Sequence, residues 1–360
     1  MPSIDEILEL KHQNDILSRK EIKEGKVILD SYPVNIQIGC TDLCNYECIM
    51  CRKRNDWALP EKTGLSIIEF LPYIKTLWWQ GGEVFLYKNF NTIFDKANEN
   101  YVKQTIITNG SLLNEEIIEK IIKNNVNLLM SIDATTKQVY EHIRRNGSFE
   151  NIIEKLNIIG RIRKKYPDSS FTLQMQVVIM KCNYKYVLDI LDFAKKYNFH
   201  AVNYHPIAED TENTDEQIFF NKFKDIEIMK HITEQMKVVH KKAAEYNIQL
   251  EDTIPKIEMH SQHINMTENT INDNNSPEKQ VNKHDGKLIC YAPWREMFID
   301  HDVLKPTCIC KSEQFIKFDE YTLRELWNHA VFVKHRESIL NNAINFGCSK
   351  QCLDGGFFRL

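Results

Sequence analysis

Short apolar runs alternate with amphipathic segments between about Pro33 and His205. Within Asn114–Lys123 the isoleucines recur three and four residues apart, which predicts a helix with one apolar face and Asn114 as its N-cap. Short apolar runs that predict strands alternate with such helices, and this alternation indicates parallel strands joined by helical crossovers. The predicted strands are Val34–Ile38, Thr76–Gln80, Lys103–Thr108, Asn127–Ile132, Phe171–Met180 and His200–Tyr204, and the predicted helices include Asn114–Lys123, Ser148–Tyr166 and Lys185–Tyr197.

Six strand–helix units predict an α/β fold, either a barrel or an open sheet, with reacting groups at the C-terminal ends of the strands. The sequence after the sixth predicted strand does not continue this alternation of strands and helices. Residues 225–248 form one more amphipathic pattern, and the polar stretch that follows predicts a linker or loop. The tail predicts a hairpin at Met297–Leu304 and a helix at about Tyr321–Leu340. The predicted organisation is a helical extension at 1–30, a barrel at 31–251, a linker at 252–287 and a small domain at 288–360.

Composition narrows the class of protein. The 360 residues are 42% hydrophobic and 27% charged, as in globular proteins. The net charge of −4 gives no signal for a nucleic-acid binder. No apolar run is long enough to span a bilayer, and the first residues lack the pattern of a signal peptide. We therefore expect a soluble cytoplasmic protein.

The ten cysteines are concentrated in two groups. In a cytoplasmic protein such groups favour metal or redox chemistry over disulfides. Cys40, Cys44, Cys48 and Cys51 lie near the first predicted strand, Cys182 stands alone, and Cys290, Cys308, Cys310, Cys348 and Cys352 lie in the tail. This distribution predicts two metal sites.

Cys44, Cys48 and Cys51 form a C-x-x-x-C-x-x-C run directly after the first strand. Three thiolates at this spacing can bind one iron–sulfur cluster and leave a fourth coordination position open. The alternative is a zinc site that takes Cys40 or a histidine as its fourth ligand, although zinc ligands usually come as a C-x-x-C pair with a second C-x-x-C or H-x-x-H pair.

This run resembles the cluster motif of the radical S-adenosylmethionine (radical SAM) superfamily. In that family three such cysteines bind a [4Fe–4S] cluster, and the fourth iron binds the amino and carboxylate groups of S-adenosylmethionine. The resemblance covers about Pro33–Pro206. It implies a partial (β/α)6 TIM-like barrel, the two cofactors, and an electron donor such as flavodoxin or ferredoxin.

Four further motifs resemble the family, in the expected order along the chain. In Gly81-Gly82-Glu83 the glycines would let backbone carbonyls approach the ligand, and the carboxylate would accept from the methionyl ammonium. In Ile143–Phe149, Arg144 would pair with the methionyl carboxylate. Thr108-Asn109-Gly110 and Ser131-Ile132-Asp133 end the third and fourth strands. The resemblance thus predicts cofactor contacts by Gly81, Gly82, Glu83, Asn109, Ser131, Asp133 and Arg144.

The tail resembles the C-terminal auxiliary-cluster domains of such enzymes, the SPASM type and the shorter twitch type. Cys290-Tyr-Ala-Pro293-Trp294 matches their opening C-x-x-P-W motif. Five thiols are enough for one [4Fe–4S] cluster with one thiol left over, whereas a zinc site with four thiolates is the alternative. The predicted ligands are Cys290, Cys308, Cys348 and Cys352, with Cys310 as the alternate to Cys308.

The resemblance implies reductive cleavage of S-adenosylmethionine to a 5′-deoxyadenosyl radical that abstracts hydrogen from an unidentified small molecule or peptide. An auxiliary cluster can accept the electron that remains on the substrate, which favours dehydrogenation or peptide modification. The alternative reaction is redox-neutral epimerisation with a thiol hydrogen donor, for which Cys182 and Cys40 are the candidates. A zinc-binding interaction protein without catalytic activity is the alternative of another class.

Overall fold

The computed structural model describes residues 3–51, 55–208, 213–218, 225–255, 258–260, 263–265, 290–300, 303–305 and 320–341. Four of the five predicted auxiliary cysteines, Cys308, Cys310, Cys348 and Cys352, lie outside the described residues.

The six predicted strands are confirmed, with ends that differ by at most two residues. Each is followed by a crossover that contains helical residues, since parallel neighbours need such a connection. The strands in chain order are β1 (Asn35–Gly39), β2 (Thr76–Gln80), β3 (Lys103–Thr108), β4 (Asn127–Ser131), β5 (Thr172–Ile179), β6 (Ala201–Pro206), β7 (Gln249–Asp252), β8 (Glu258–His260), β9 (His263–Asn265), β10 (Glu296–Asp300) and β11 (Val303–Lys305).

Nine of these described strands form one unclosed sheet in the order β11-β10-β1-β2-β3-β4-β5-β6-β7. All neighbours from β10 to β7 are parallel, and only β11 is antiparallel. The α/β partial-barrel class is therefore confirmed, and the sheet extends beyond the six predicted strands at both edges. The added strand at one edge is β7, which follows the helix at 225–248, and those at the other edge come from the tail hairpin.

The helices lie between the strands and at the two ends of the chain. Asn114 caps its helix as predicted, since its side chain accepts from the N–H of Ile117. The helices are α1 (Ile4–Lys23), α2 (Glu61–Ser66), α3 (Phe90–Glu99), α4 (Glu115–Lys123), α5 (Lys137–Ile143), α6 (Phe149–Arg163), α7 (Val187–Lys196), α8 (Ile226–Tyr246), α9 (Ala292–Arg295), α10 (Leu323–Trp327) and α11 (Ala330–Leu340).

The two faces of the sheet differ in polarity. On the helix side, the Trp79 indole donates to Gln104, whose amide donates to the carbonyl of Phe94 in α3. The opposite, inner face presents half-buried polar side chains from neighbouring strands, which register with one another across the sheet. They include Gln37, Gln80, Ser131, Gln174, Gln176 and His205. The inner face therefore carries polar side chains that adjoin the strand ends, beside apolar ones such as Trp78 and Val178.

The tail packs on the beginning of the chain rather than forming a separate layer. The Trp294 indole donates to the carbonyl of Lys26, and the N–H of Val34 donates to the carbonyl of Arg295. The buried Arg336 guanidinium donates to three backbone carbonyls, those of Val27, Pro293 and Trp327. These contacts dock α9 and α11 on the segment that leads into β1.

Two details of the tail and linker differ from the sequence interpretation. The single helix expected at Tyr321–Leu340 is two helices, because Asn328 bonds both backbone groups of Leu29 and the His329 side chain caps α11. The stretch expected to be a linker at 252–287 contains the antiparallel pair β8–β9, and its residues 266–287 lie outside the described residues. Within the described part of the chain, no helix combines the length and apolar character needed to cross a membrane.

Candidate active site

The loop after β1 lies against the loop after β2 through three backbone hydrogen bonds. The N–H of Cys40 donates to Gln80, that of Gly82 to Thr41, and that of Glu83 to Leu43, at 2.9, 2.5 and 2.7 Å. Gly81 has φ +130°, and a Cβ there would overlap the Thr41 carbonyl oxygen, as one at Gly82 would overlap that of Leu43. Both glycines are therefore required for the close approach of the two loops.

The three cysteines of the C-x-x-x-C-x-x-C run lie on this first loop, which is fixed from a second side. The N–H groups of Glu47 and Ile49 donate to the carbonyls of Arg145 and Ile143, each at 3.0 Å. Cys48 is buried, while Cys44 and Cys51 are half-buried. The loop thus brings the thiols to the edge formed by the C-terminal strand ends.

The sulfurs of Cys44 and Cys48 accept hydrogen bonds from N–H groups of the surrounding loops. Cys44 Sγ accepts from the N–H of Tyr46 at 3.5 Å and from Asn109 Nδ2 at 3.8 Å. Cys48 Sγ accepts from a guanidinium nitrogen of Arg144 at 3.5 Å. A hydrogen bond with Cys51 and burial both raise the pKa of Cys48. The Arg144 guanidinium opposes this rise in the pKa of Cys48, and cysteine thiols are the usual protein ligands of an iron–sulfur cluster.

Glu83 connects the ends of β2 and β3. Its carboxylate is fully buried and accepts from the Thr108 hydroxyl at 2.7 Å and from the N–H of Asn109 at 2.8 Å. The Asn109 side chain in turn donates to Asn45 Oδ1 at 2.9 Å. In the structure Glu83 therefore positions Asn109 next to the cysteine loop; a contact to the methionyl ammonium stays a prediction.

Asp133 and Arg144 form a buried ion pair beyond the end of β4. Arg144 Nε donates to Asp133 Oδ2 at 2.6 Å, and the N–H of Val178 donates to Asp133 Oδ1 at 2.8 Å. Burial opposes the charged guanidinium, but Asp133, together with Cys48 and Tyr140, outweighs burial, and the pKa of Arg144 lies above its ordinary value. The pair fixes Arg144 between Cys48 and β5, and it keeps a positive charge beside the thiols.

The inner face supplies polar groups that the sequence motifs missed. Ser131, a predicted cofactor contact, is half-buried and pairs in register with Gln176 of β5. His205 Nε2 lies 2.9 Å from Gln176 Oε1. Gln174 and Gln176 alternate with apolar residues along β5, and this period of two is the sequence signal that marks them as facing the interior of the barrel.

The remaining predicted cysteines occupy different places. Cys40 is fully buried behind the two loops, and burial raises its pKa. Cys182 is half-buried beyond the end of β5, where burial and Glu216 raise its pKa to about 12. Cys290 is half-buried and precedes α9 and β10. Because β10 is parallel to β1, Cys290 lies toward the N-terminal ends of these strands, opposite the Cys44–Cys51 loop.

The site is thus built from the C-terminal ends of adjacent parallel strands, with three thiols on the loop after the first. The model of the family described as "Radical SAM superfamily" matches residues 38–194, which include every strand end of this site up to β5. Residues 38–194 form a radical SAM domain. A [4Fe–4S] cluster and S-adenosylmethionine, the cofactors of radical SAM enzymes, are therefore its cofactors, and Cys44, Cys48 and Cys51 are the residues predicted to bind the cluster.

Two curated relatives are similar to the chain over part of their length. The chain is 25% identical over 187 residues to the "Probable GTP 3′,8-cyclase" of Methanocaldococcus jannaschii, which is 49% of this chain and 60% of that protein. It is 27% identical over 140 residues to the "Antilisterial bacteriocin subtilosin biosynthesis protein AlbA" of Bacillus subtilis, which is 36% of this chain and 31% of that protein. The matches therefore span less than two thirds of each relative.

A solved structure extends the similarity of fold to the tail. "Streptococcus suis SuiB bound to precursor peptide SuiA" superposes with a TM-score of 0.63 at 16% identity, and the alignment covers 97% of this chain and 79% of that one. At this identity the likeness is one of fold. It includes the strands and helices beyond residue 194 that the family model does not match.

Proposed function

We propose that this radical SAM enzyme modifies a peptide by hydrogen abstraction, and that one auxiliary [4Fe–4S] cluster in the tail assists an oxidation. The observation that carries the proposal is the alignment over 97% of the chain with SuiB, a protein solved with its precursor peptide. The partial similarity to AlbA, named for bacteriocin biosynthesis, supports the same substrate class.

The residues of this chain have separate tasks in the proposed reaction. When bound, the cluster and S-adenosylmethionine supply a strong abstractor of hydrogen atoms. Arg144, fixed by Asp133, keeps a cation beside Cys48 and can receive an anionic group of the cofactor. Glu83 and Asn109 connect the ends of β2 and β3 to the cysteine loop. The polar inner face provides amide and imidazole groups that can orient a peptide backbone.

The hairpin geometry supports a cluster site near Cys290. Strand β11 runs antiparallel to β10, and Lys305 pairs with Phe298. The chain therefore returns at Lys305 toward the end of β10 at which Cys290 lies, and Cys308 follows Lys305 by three residues. Cys290, Cys308, Cys348 and Cys352 stay the proposed ligands of one auxiliary cluster, and Cys308 lies outside the described residues.

Coexpression with the short reading frames that flank its gene, followed by mass spectrometry, tests the substrate class. An oxidation removes two hydrogen atoms from the peptide, whereas epimerisation in D2O leaves the composition unchanged except for one incorporated deuterium. Modification of a small molecule but of no peptide would contradict the proposal. The deuterium result would support the epimerase alternative, for which Cys182 is better placed than the fully buried Cys40.

A tail variant tests the role of the auxiliary cluster. Cys348→Ala/Cys352→Ala is expected to cleave S-adenosylmethionine but to release no oxidised product, because the substrate radical then lacks an electron acceptor. Cys310→Ala, the predicted spare thiol, is the matched control. Circular dichroism and the spectrum of the barrel cluster must be unchanged, since cluster binding also contributes to folding. Normal turnover by an intact double variant would show that the tail cluster is structural.

A further inference from the structure

Three potential metal ligands lie close together near the C-terminal ends of β4, β5 and β6. None of the three is among the predicted cofactor contacts. His142 lies in the last turn of α5, Cys182 follows β5, and Glu216 ends the short 3-10 helix Thr214–Glu216 beyond β6. One imidazole nitrogen, the Cys182 sulfur and one carboxylate oxygen all lie within 4.8 Å of one another. Three loops that are distant in sequence thus contribute one donor atom each.

The two half-buried members of the trio are fixed before any ion binds. Glu216 Oε2 accepts from the N–H of Cys182 at 2.9 Å, and the Glu216 carbonyl accepts from the N–H of Lys181 at 3.2 Å. The Cys182 loop is in turn tied to the barrel, because Asn183 donates to the carbonyls of Asp133 and Val178. Hydrogen-bonded ligand loops of this kind are typical of metal sites.

The donor set matches one metal in particular. A nitrogen, a sulfur and an oxygen suit Zn²⁺, whose bonds of about 2.0–2.3 Å place tetrahedral ligand atoms roughly 3.4–3.8 Å apart. The trio therefore has to close by roughly 1.4 Å at most, and His142, whose side chain is exposed, can make that movement by rotation. A thiolate and a carboxylate also balance the charge of a divalent ion.

We propose that His142, Cys182 and Glu216 bind one Zn²⁺ ion, with a fourth coordination position open to solvent or to an oxygen or nitrogen donor of a substrate. This site goes beyond the proposed function and does not depend on it. Because a zinc-bound thiolate carries no hydrogen, zinc binding excludes Cys182 as a hydrogen-atom donor while the metal is present. The site also links the loops that follow β4, β5 and β6.

Zinc and iron analysis of the cluster-loaded enzyme tests the proposal. After incubation with one equivalent of ZnCl2 and desalting, the wild type is expected to retain one zinc per chain with its iron unchanged. His142→Ala, Glu216→Gln and Cys182→Ser are each expected to bind zinc at least tenfold more weakly in competition with a chelator. Cys40→Ser is the matched thiol control and should bind like the wild type.

X-ray absorption at the zinc edge separates this site from zinc at cluster cysteines. If the trio binds zinc, one sulfur should lie about 2.3 Å from the zinc ion, and the nitrogen and oxygen ligands about 2.0–2.1 Å from it. Absence of bound zinc, zinc gained only as iron is lost, three or more sulfurs around zinc, or equal binding by Cys182→Ser and the control would each overturn the proposal. His142→Ala keeps the test interpretable if the other variants misfold, because this side chain is exposed.

Discussion

Arg144 donates a hydrogen bond to the sulfur of Cys48, with 3.5 Å between nitrogen and sulfur. The contact joins the segment after α5 to the cysteine loop, and backbone hydrogen bonds between the same two segments support it. It places a fixed positive charge and an N–H donor on a predicted cluster ligand. Both features stabilise a thiolate, and both favour the reduced state of a cluster bound there.

Arg144→Ala is expected to lower the reduction potential of the barrel cluster, because it removes a cation and a hydrogen bond to a ligand sulfur. It should also cost about 3–5 kcal/mol of unfolding free energy, since Asp133 is left buried without its partner. Redox titration followed by electron paramagnetic resonance measures the first effect. Arg144→Lys is the control that keeps the charge, and an unchanged potential in folded Arg144→Ala would contradict the expectation.

Replacement of Cys44, Cys48 or Cys51 by alanine is expected to abolish 5′-deoxyadenosine formation after reduction with dithionite. Iron should fall by roughly half if the tail binds a second [4Fe–4S] cluster. Chromatography of the quenched reaction and iron analysis measure the two effects. The control Cys40→Ala should have the iron content of the wild type and should form 5′-deoxyadenosine. A colourless wild-type protein with two zinc ions and no iron would instead support the non-catalytic alternative.

Glu83→Ala is expected to weaken S-adenosylmethionine binding about 10- to 100-fold. Removal of hydrogen bonds to a charged group costs about 1.5–3 kcal/mol each, and part of that cost should appear as displacement of Asn109. Anaerobic calorimetry measures the affinity. Glu61→Ala, which removes only a surface ion pair with Lys88, is the matched control. Equal affinities of the two variants would show that the cofactor site has been placed wrongly.

Asp15 couples stability to acid pH through the contact between α1 and the tail. Burial opposes its charge, but Arg295 at 2.5 Å and Lys75 at 3.1 Å lower its pKa from 3.8 to about 2. Because the native pKa is depressed, the stabilisation is present above pH 3.8 and is lost as the pH falls toward 2. Asp15→Asn should therefore cost about 2 kcal/mol at pH 7.

Urea unfolding of the cluster-free protein, followed by circular dichroism, checks this loss at pH 7 and at pH 2.5. The difference between wild type and Asp15→Asn should shrink at the lower pH. Asp95→Asn is the control, because Asp95 forms an exposed ion pair with Lys120. A difference that stays constant across the two pH values would contradict the assigned pKa.

The strands and the cysteine loop could be predicted from sequence because their signals are local. The period of the apolar residues indicates where β1–β6 begin and end, and the spacing of Cys44, Cys48 and Cys51 predicts an iron–sulfur cluster site. The hydrogen bonds that a motif residue makes with other strands give no such local signal. The sequence indicated that Glu83 ends a strand, but its contacts with Thr108 and Asn109 depend on how two strands pack.

The contacts of the tail could not be predicted for the same reason. The sequence of hairpin β10–β11 has the pattern of any short hairpin. Nothing in that pattern indicates that β10 pairs with β1. Likewise, the trio of His142, Cys182 and Glu216 has no recognisable spacing along the chain, because it is assembled by three separate loops. Long-range pairing is decided by tertiary packing rather than by local preference.

The parallel pairing of β1 with β10 has a consequence for synthesis of the protein. Asn35 bonds Glu296 across 261 residues of sequence, so during translation β1 keeps one open edge until the ribosome has released the hairpin. An open strand edge is a template for aggregation. A fragment that ends within residues 252–287 would contain all three predicted cluster cysteines and still expose that edge, and we expect it to accumulate in inclusion bodies when produced alone.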